Sequence, residues 1–229
     1  SNYKRILNQL KTDLKLDKEP KHIECFDNSN LNGTNPTSAC VVFNDAKPNK
    51  KEYRHFNIKK VNAANDYAMM QEVISRRYSR MINENKQLPD LIIIDGGKGQ
   101  LSSALDVLTQ LKLENKIALI GIAKRLEEIY FPNDSIPLYL DKRSESLKLI
   151  QQLRNEAHRF SLKHHRNKRG KNLTTNELES ISGIGEKTIL DLLRHFKSNK
   201  AISSAKIEEL KKVVGSSRAL LIYNYYKSI

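Results

Sequence analysis

Cysteine, long apolar runs and acid are all scarce in this chain of 229 residues. There are two cysteines, Cys25 and Cys40, with no CxxC or Cys/His spacing. That argues against a disulfide scaffold and against a zinc finger. Both lie in apolar stretches and are expected to be reduced core thiols of a cytosolic protein. No apolar run approaches the ~20 residues that span a bilayer, and no signal-peptide pattern is present, so a membrane is not an expected partner. Acid is outnumbered, 26 Asp and Glu against 40 Lys and Arg, for a net charge of +14. So basic a chain is expected to meet a polyanion, nucleic acid before the blander role of a ribosome-associated or merely soluble basic protein. The length allows one or two domains with at least one real core. The chain starts at Ser1 and not at Met, so it is expected to be part of something longer.

Tyr3, Ile6, Leu7, Leu10 and Leu14 are spaced for a short amphipathic helix over 1–17, which Pro20 stops. "HIECFD" (22–27), "SACVVFND" (38–45) and "KEYRHFNI" (51–58) read as strands, the last two joined by a hairpin-like link. A helical period follows over 65–86, with Tyr67, Met70, Val73, Ile74, Tyr78 and Met81 as its core stripe and Arg76, Arg77 and Arg80 on the other face. "LPDLIIID" (88–95) and "IALIGIAK" (117–124) are buried parallel strands by their continuous apolar character, with a helix at 100–112 between them. A β-hairpin is expected over 127–140, then a long helix over 144–169. The order describes an α/β fold, a mixed sheet with flanking helices, and resembles the ribonuclease H-like fold. A basic, glycine-containing break at 164–175 marks a domain boundary, and the residues after it read as a small all-helical domain.

Two aspartates stand at strand ends. If the strands ending in Asp27 and Asp95 are neighbours and parallel, their carboxylates converge on one crevice. Two such carboxylates suit a divalent cation such as Mg²⁺, and that is equipment for hydrolysing a phosphodiester. For Asp27 the plainer alternative is an Asx-turn in "DNSN". "IIIDGGKGQ" (92–100) fails the G-x-x-x-x-G-K-[ST] phosphate-loop pattern, so a nucleotide cradle is not expected. Its small residues admit a DNA backbone and Lys98 offers a cation, though a tight strand-to-helix turn would look the same. His158 sits at the edge of the apolar stripe of the long helix, among Arg154, Arg159 and Lys163. Imidazole there can ligate a metal or move protons, and the cations can hold phosphates, or the face is simply solvated.

"ISGIGEKTILDLLRHF" (181–196) has the form of a helix-hairpin-helix DNA-binding module. Gly183 and Gly185 permit a tight turn with outward N–H groups, the next helix adds its dipole, and Lys187 adds charge. "VVGSSRALLIYNYY" (213–226) is a weaker copy with Gly215, Ser217 and Arg218 in the matching places.

"CFDNSN" (25–30), "YRHFNI" (53–58), "NDYAMMQEVISRRY" (65–78), "DLIIIDGGKGQL" (90–101) and "RNEAHRFS" (154–161) occur in the order found in the UvrC family, the nuclease subunit of the bacterial UvrABC excision-repair system. The chain is identified as resembling that family from about residue 18 onward. The resemblance implies an N-terminal helical segment at 1–17, a ribonuclease H-like endonuclease domain at 18–165, a basic linker at 166–174 and a tandem helix-hairpin-helix domain at 175–229. It implies 5′ incision of a damaged strand with Mg²⁺ or Mn²⁺, in an active site of Asp27, Asp95 and His158. Asp66 falls on a further acidic position of the family, or is a helix N-cap. Asn28 and Asn65 depart from the residues common in the family without removing a proposed ligand. Damaged duplex DNA and UvrB are the implied partners, UvrB chiefly through a segment expected to precede residue 1, and the protein is expected to be monomeric and cytoplasmic. The other readings are a catalytically silent DNA-tethering module and an RNA–DNA hybrid nuclease.

Overall fold

The computed structural model describes residues 2–29, 36–58, 65–123 and 128–228, with backbone only for 164–177. The chain divides into two compact units, Ser1–His164 and His165–Ile229. No helix among the described residues is long and apolar enough to cross a membrane.

The first unit is built on a mixed sheet. Its strands are β1 (His22–Ser29), β2 (Thr37–Asn44), β3 (Lys47–Pro48), β4 (Arg54–Asn57), β5 (Leu91–Asp95), β6 (Ala118–Ile122) and β7 (Ile129–Tyr130). They run in the order β3-β2-β1-β5-β6-β7, with β4 also on β2. β1, β5 and β6 are parallel. β2 returns antiparallel beside β1, and β7 antiparallel beside β6. All five residues of β5 are buried, as a central strand covered on both faces requires. The expected hairpin over 127–140 shrinks to β7 and a single bridge, Ile129 to Leu138. Pro132 and Pro137 each lack the N–H a longer ladder needs.

Helices α1 (Asn2–Asp13), α2 (Asp66–Asn83), α3 (Lys98–Gln110) and α4 (Glu145–Glu179) complete this part of the chain. Side chains alternate across β1, and the alternation sorts the helices. Glu24 and Phe26 face α2, where Phe26 meets Tyr78 edge-on at 6.1 Å between ring centroids. Asp27 faces α4. α2 buries Met70, Val73, Ile74, Tyr78 and Met81, as its stripe predicts. Met69, beside the stripe, is buried too, and Tyr67 and Arg77 depart from the pattern. Tyr67, expected in the core, is 57% exposed, because the first turn of α2 carries its ring onto Gly99 of α3. Arg77, expected on the polar face, is buried, because Glu24 of the sheet draws it in. Arg77 binds the Glu24 carboxylate through Nε at 2.6 Å and Nη2 at 2.5 Å, Tyr78 donates to it at 2.7 Å, and His22 lies against it at 2.9 Å. Burial alone would raise the Glu24 carboxyl, but these hydrogen bonds and the Arg77 charge bring it from 4.5 to about 2.

Residues 164–175, expected as a break, are helical within α4. One glycine and no proline in that stretch leave nothing that forbids helix, since its Lys, Arg, Asn and Leu are all tolerated there. The second unit adds α5 (Glu186–Phe196), α6 (Asn199–Ser203), α7 (Ile207–Val214) and α8 (Ser216–Lys227). Its own small core includes Leu178, Ile189, Leu192, Leu210 and Ile222.

Candidate active site and nucleic-acid interface

Asp27 and Asp95 are register partners on the adjacent parallel strands β1 and β5. Register partners point to the same face, and neighbouring strands lie about 4.8 Å apart. Two carboxylates are thus set side by side at the carboxyl ends of the strands. Both residues are buried, at 1% and 4% exposure, and an oxygen of each, Oδ1, is out of reach of solvent. His158 completes the group from α4. Its Nδ1 lies 3.2 Å from Asp27 Oδ2, while its own side chain stays 56% exposed. Cys25, below the pair on the same face of β1, is held protonated. Burial raises its thiol most, the charges of Asp95 and Asp27 raise it further, and Arg154 lowers it. Arg154 lies one turn before His158 on α4, and its charge acts on the Cys25 thiol.

Among the described residues no group of three or more His, Cys, Asp and Glu is gathered as a metal-holding cluster. The carboxylate pair is the donor set that fits a hard divalent cation, which takes carboxylate oxygens and keeps several waters. His158 is joined to that pair through Asp27.

The α4 turn bearing His158 is braced from β4 and from Tyr53 just before it, and this the sequence did not reveal. The His55 ring stacks on Phe160 with centroids 3.8 Å apart and planes at 21°. Tyr53 meets Phe160 edge-on at 5.1 Å and donates its hydroxyl to Glu156 at 3.1 Å. The only sequence signal was the apolar-aromatic pattern of "YRHFNI".

Other expected residues are placed less simply. Asp66 is the first residue of α2, not its cap; Asn65 caps the helix by accepting from the Ala68 N–H at 3.1 Å. The Asp66 carbonyl accepts from Asn28 Nδ2 at 3.4 Å, beside the end of β1, and its side chain is exposed. Lys98 opens α3, but its Nζ donates to the Ser135 carbonyl at 2.8 Å and lies 5.1 Å from the Tyr130 ring centroid. Arg159 holds Glu156 of its own helix through two hydrogen bonds, 2.8 and 2.7 Å.

In the second unit Gly183 and Gly215 have φ of +87° and +81°, a region that L side chains rarely adopt. Gly185 and Gly215 are the N-cap residues of α5 and α8, and neither helix has a side-chain cap. The first-turn N–H groups, including those of Lys187, Ser217 and Arg218, have no partner within their helices, which is how such turns receive an anion. The second turn is one residue long, with Gly215 alone between α7 and α8.

The family described as "UvrC RNAse H endonuclease domain" matches residues 11–162, and that described as "SAM-like Helix-hairpin-helix tandem" matches 175–224. UvrABC system protein C of Christiangramia forsetii is 62% identical over 224 residues, covering 98% of this chain and 38% of the relative. The protein of the same name from Flavobacterium psychrophilum is 60% identical over 225 residues, with the same coverage. That of Porphyromonas gingivalis is 57% identical over 218 residues, covering 95% and 36%. The chain thus spans about 38% of the length of the curated relatives it matches most fully. Among solved structures, human ENDOV superposes with a TM-score of 0.38 at 13% identity, over 72% of this chain and 98% of that one. Ciona intestinalis Endonuclease V in complex with a 24mer DNA gives 0.36 at 18% identity, over 68% and 65%.

Proposed function

The chain belongs to the UvrC family, and on that premise we propose that it is a divalent-metal-dependent DNA endonuclease making the 5′ incision of a damaged strand in bacterial nucleotide excision repair. The observation that carries the reading is the register pairing of Asp27 with Asp95, with His158 Nδ1 3.2 Å from Asp27. Asp27 and Asp95 would hold Mg²⁺ or Mn²⁺, which when bound lowers the pKa of a water and offsets charge on the phosphoryl oxygens. Asp27 orients the His158 ring, which would ligate the ion or move a proton at its exposed side. Arg154 holds the scissile phosphate. Asp66, whose carbonyl accepts from Asn28 beside the end of β1, would add a further acidic group near the ion.

Residues 18–165 form the endonuclease domain and 175–229 the duplex-holding domain, a division supported by the boundary of the two compact units between His164 and His165. In the second domain the backbone at Gly183, Gly185 and Gly215, with Lys187, Ser217 and Arg218, grips phosphates without reading sequence. Damaged duplex DNA and UvrB are the partners, the working place is the cytoplasm, and the protein acts as a monomer.

A nicking assay on lesion-bearing duplex within the complete repair assembly, with Mg²⁺ or Mn²⁺ supplied, tests the proposal. Wild type should cut 5′ of the lesion and Asp95→Ala should not. Equal cutting by Asp95→Ala would leave only a tethering module, and cleavage of RNA–DNA hybrid in place of damaged DNA would make the protein a hybrid nuclease.

A further inference from the structure

The rim of the loop after Asp95 is apolar on both flanks. On one side stands Tyr67, 57% exposed on the first turn of α2. Its ring rests on the first turn of α3 at Gly99. A Cβ there would stand 2.6 Å from Tyr67 Cζ and 2.7 Å from its hydroxyl oxygen, so the glycine is what admits the ring. On the other side Lys98, the neighbour of Gly99, fixes the segment after β7 through the Ser135 carbonyl. That segment presents Ile136 at 74% and Tyr139 at 61% exposure. Its Tyr139 hydroxyl is tied to Glu128 at 2.6 Å, and Tyr130 is tied to the same carboxylate.

A surface beside a phosphodiester site would ordinarily be cationic. Here the cation of the loop is engaged with the flanking segment, and an aromatic ring is left open to solvent. A duplex with all its bases paired and stacked offers such a ring only sugar and phosphate. An unpaired base offers a π-face, which every base has regardless of sequence. The geometry points to Tyr67 as a base-stacking residue that takes an unpaired nucleobase of the strand lying at Asp27 and Asp95, with Ile136 and Tyr139 bounding the opposite flank. The position of the strand rests on the nuclease reading above; the stacking does not.

The test uses the full chain carrying Asp95→Asn, so that DNA is bound and not cut. The probes are a duplex with a short unpaired bubble holding 2-aminopurine, and the same duplex fully paired. Binding should quench 2-aminopurine through stacking. Adding Tyr67→Ala should lower the ratio of bubble to duplex affinity about 5- to 150-fold, the range for one stacked base. Tyr67→Phe should keep the ratio, and Gly99→Ala, which displaces the ring, should lower it as Tyr67→Ala does. An unchanged ratio in Tyr67→Ala overturns the proposal. So does a fall in Tyr67→Phe as deep as in Tyr67→Ala, since that would assign the effect to the hydroxyl. If the chain with Asp95 intact, within the complete repair assembly and with Mg²⁺ or Mn²⁺, fails to cut lesion-bearing duplex, the nuclease reading fails, while the binding ratio is still measured and judges the stacking by itself.

Discussion

Replacing Arg77 by Met should destabilise the first unit by about 3–5 kcal/mol near neutral pH, because it leaves the Glu24 carboxylate buried without its cation. Glu24 has no exposed surface, so solvent does not screen the pair. Its carboxyl lies at about 2 instead of 4.5. At ~1.4 kcal/mol for each pH unit, that displacement corresponds to about 3 kcal/mol of folding free energy linked to Glu24 ionisation. The folded value is the lower one, so this stability is fully present above pH 4.5 and is lost as pH falls toward 2. Without Arg77 the sign reverses. Burial is then opposed only by Tyr78 and His22, the folded carboxyl moves up, and the deficit of Arg77→Met against wild type shrinks on acidification. The assay is urea denaturation followed by hydrogen exchange of the β1 amides, which reports the first unit alone, at several pH values between 3 and 7. A loss below about 1 kcal/mol at pH 7, or a deficit that grows as pH falls, would refute the reasoning. Glu24 is three residues before Asp27 and on the opposite face of β1, so the perturbation tests the scaffold without touching the carboxylate pair.

Asp27→Asn and Asp95→Asn should each slow nicking at least about a thousandfold, the several kcal/mol that a bound cation contributes to the transition state, and in metal-free buffer each should raise the thermal midpoint by relieving carboxylate repulsion; calorimetry with and without Mg²⁺ reads both signs. Gly183→Val should destabilise the second unit, since φ is +87° and a Cβ would stand 3.1 Å from Leu221 Cδ1, whereas Gly185→Ala, with nothing within 4 Å of its Cβ, should fold normally; circular dichroism melts of the two variants check the contrast. Lys187→Glu with Arg218→Glu should weaken duplex binding and reduce the slope of log affinity against log salt by about 2, close to 0.9 for each phosphate no longer neutralised; a titration across salt concentrations that returns the wild-type slope would sink the assignment. Cys25 and Cys40 are fully buried with thiols raised by that burial, so iodoacetamide at neutral pH should modify neither before the protein unfolds.

Where a feature depends on local pattern, the sequence was informative. The apolar run of β5 and the periods of α2 and α3 follow from burial on a sheet face, which leaves its mark every two or every three to four residues. The scarce glycines were equally telling at Gly183 and Gly215, whose positive φ few other residues would accept. Pairings across long separations were not legible. Arg77 belongs by periodicity to a solvated face, and only Glu24, 53 residues earlier on β1, makes it a core residue. A glutamate inside "HIECF" was the one hint that a buried cation would be needed. Tyr67 shows the converse error, since an aromatic on the right helical stripe still lies outside the core when its turn extends past the sheet.

Charge is where pattern misleads most at the site. Asp27 and Asp95 were readable because strand ends and parallel order leave them few other places to be, and their register partnership follows once β1 and β5 are neighbours. The cations had no such constraint. Lys98 was expected to face a phosphate, and its ammonium is held by the Ser135 carbonyl. Arg159 sits on the right helix, and its guanidinium is held by Glu156, which in turn receives Tyr53. Either could meet DNA only by exchanging an existing hydrogen bond for a new one, so its gain from a phosphate is the difference between the two. Arg154 is engaged as well, with a long contact to Asn155 at 3.5 Å, and its charge acts on the Cys25 thiol together with those of Asp27 and Asp95. Among Lys98, Arg154 and Arg159, Arg154 is the one whose charge reaches the face of β1 that bears Asp27, so its removal should weaken the hold on the scissile phosphate most. Lys98 and Arg159 should act mainly by fixing the segment after β7 and the turn that carries His158.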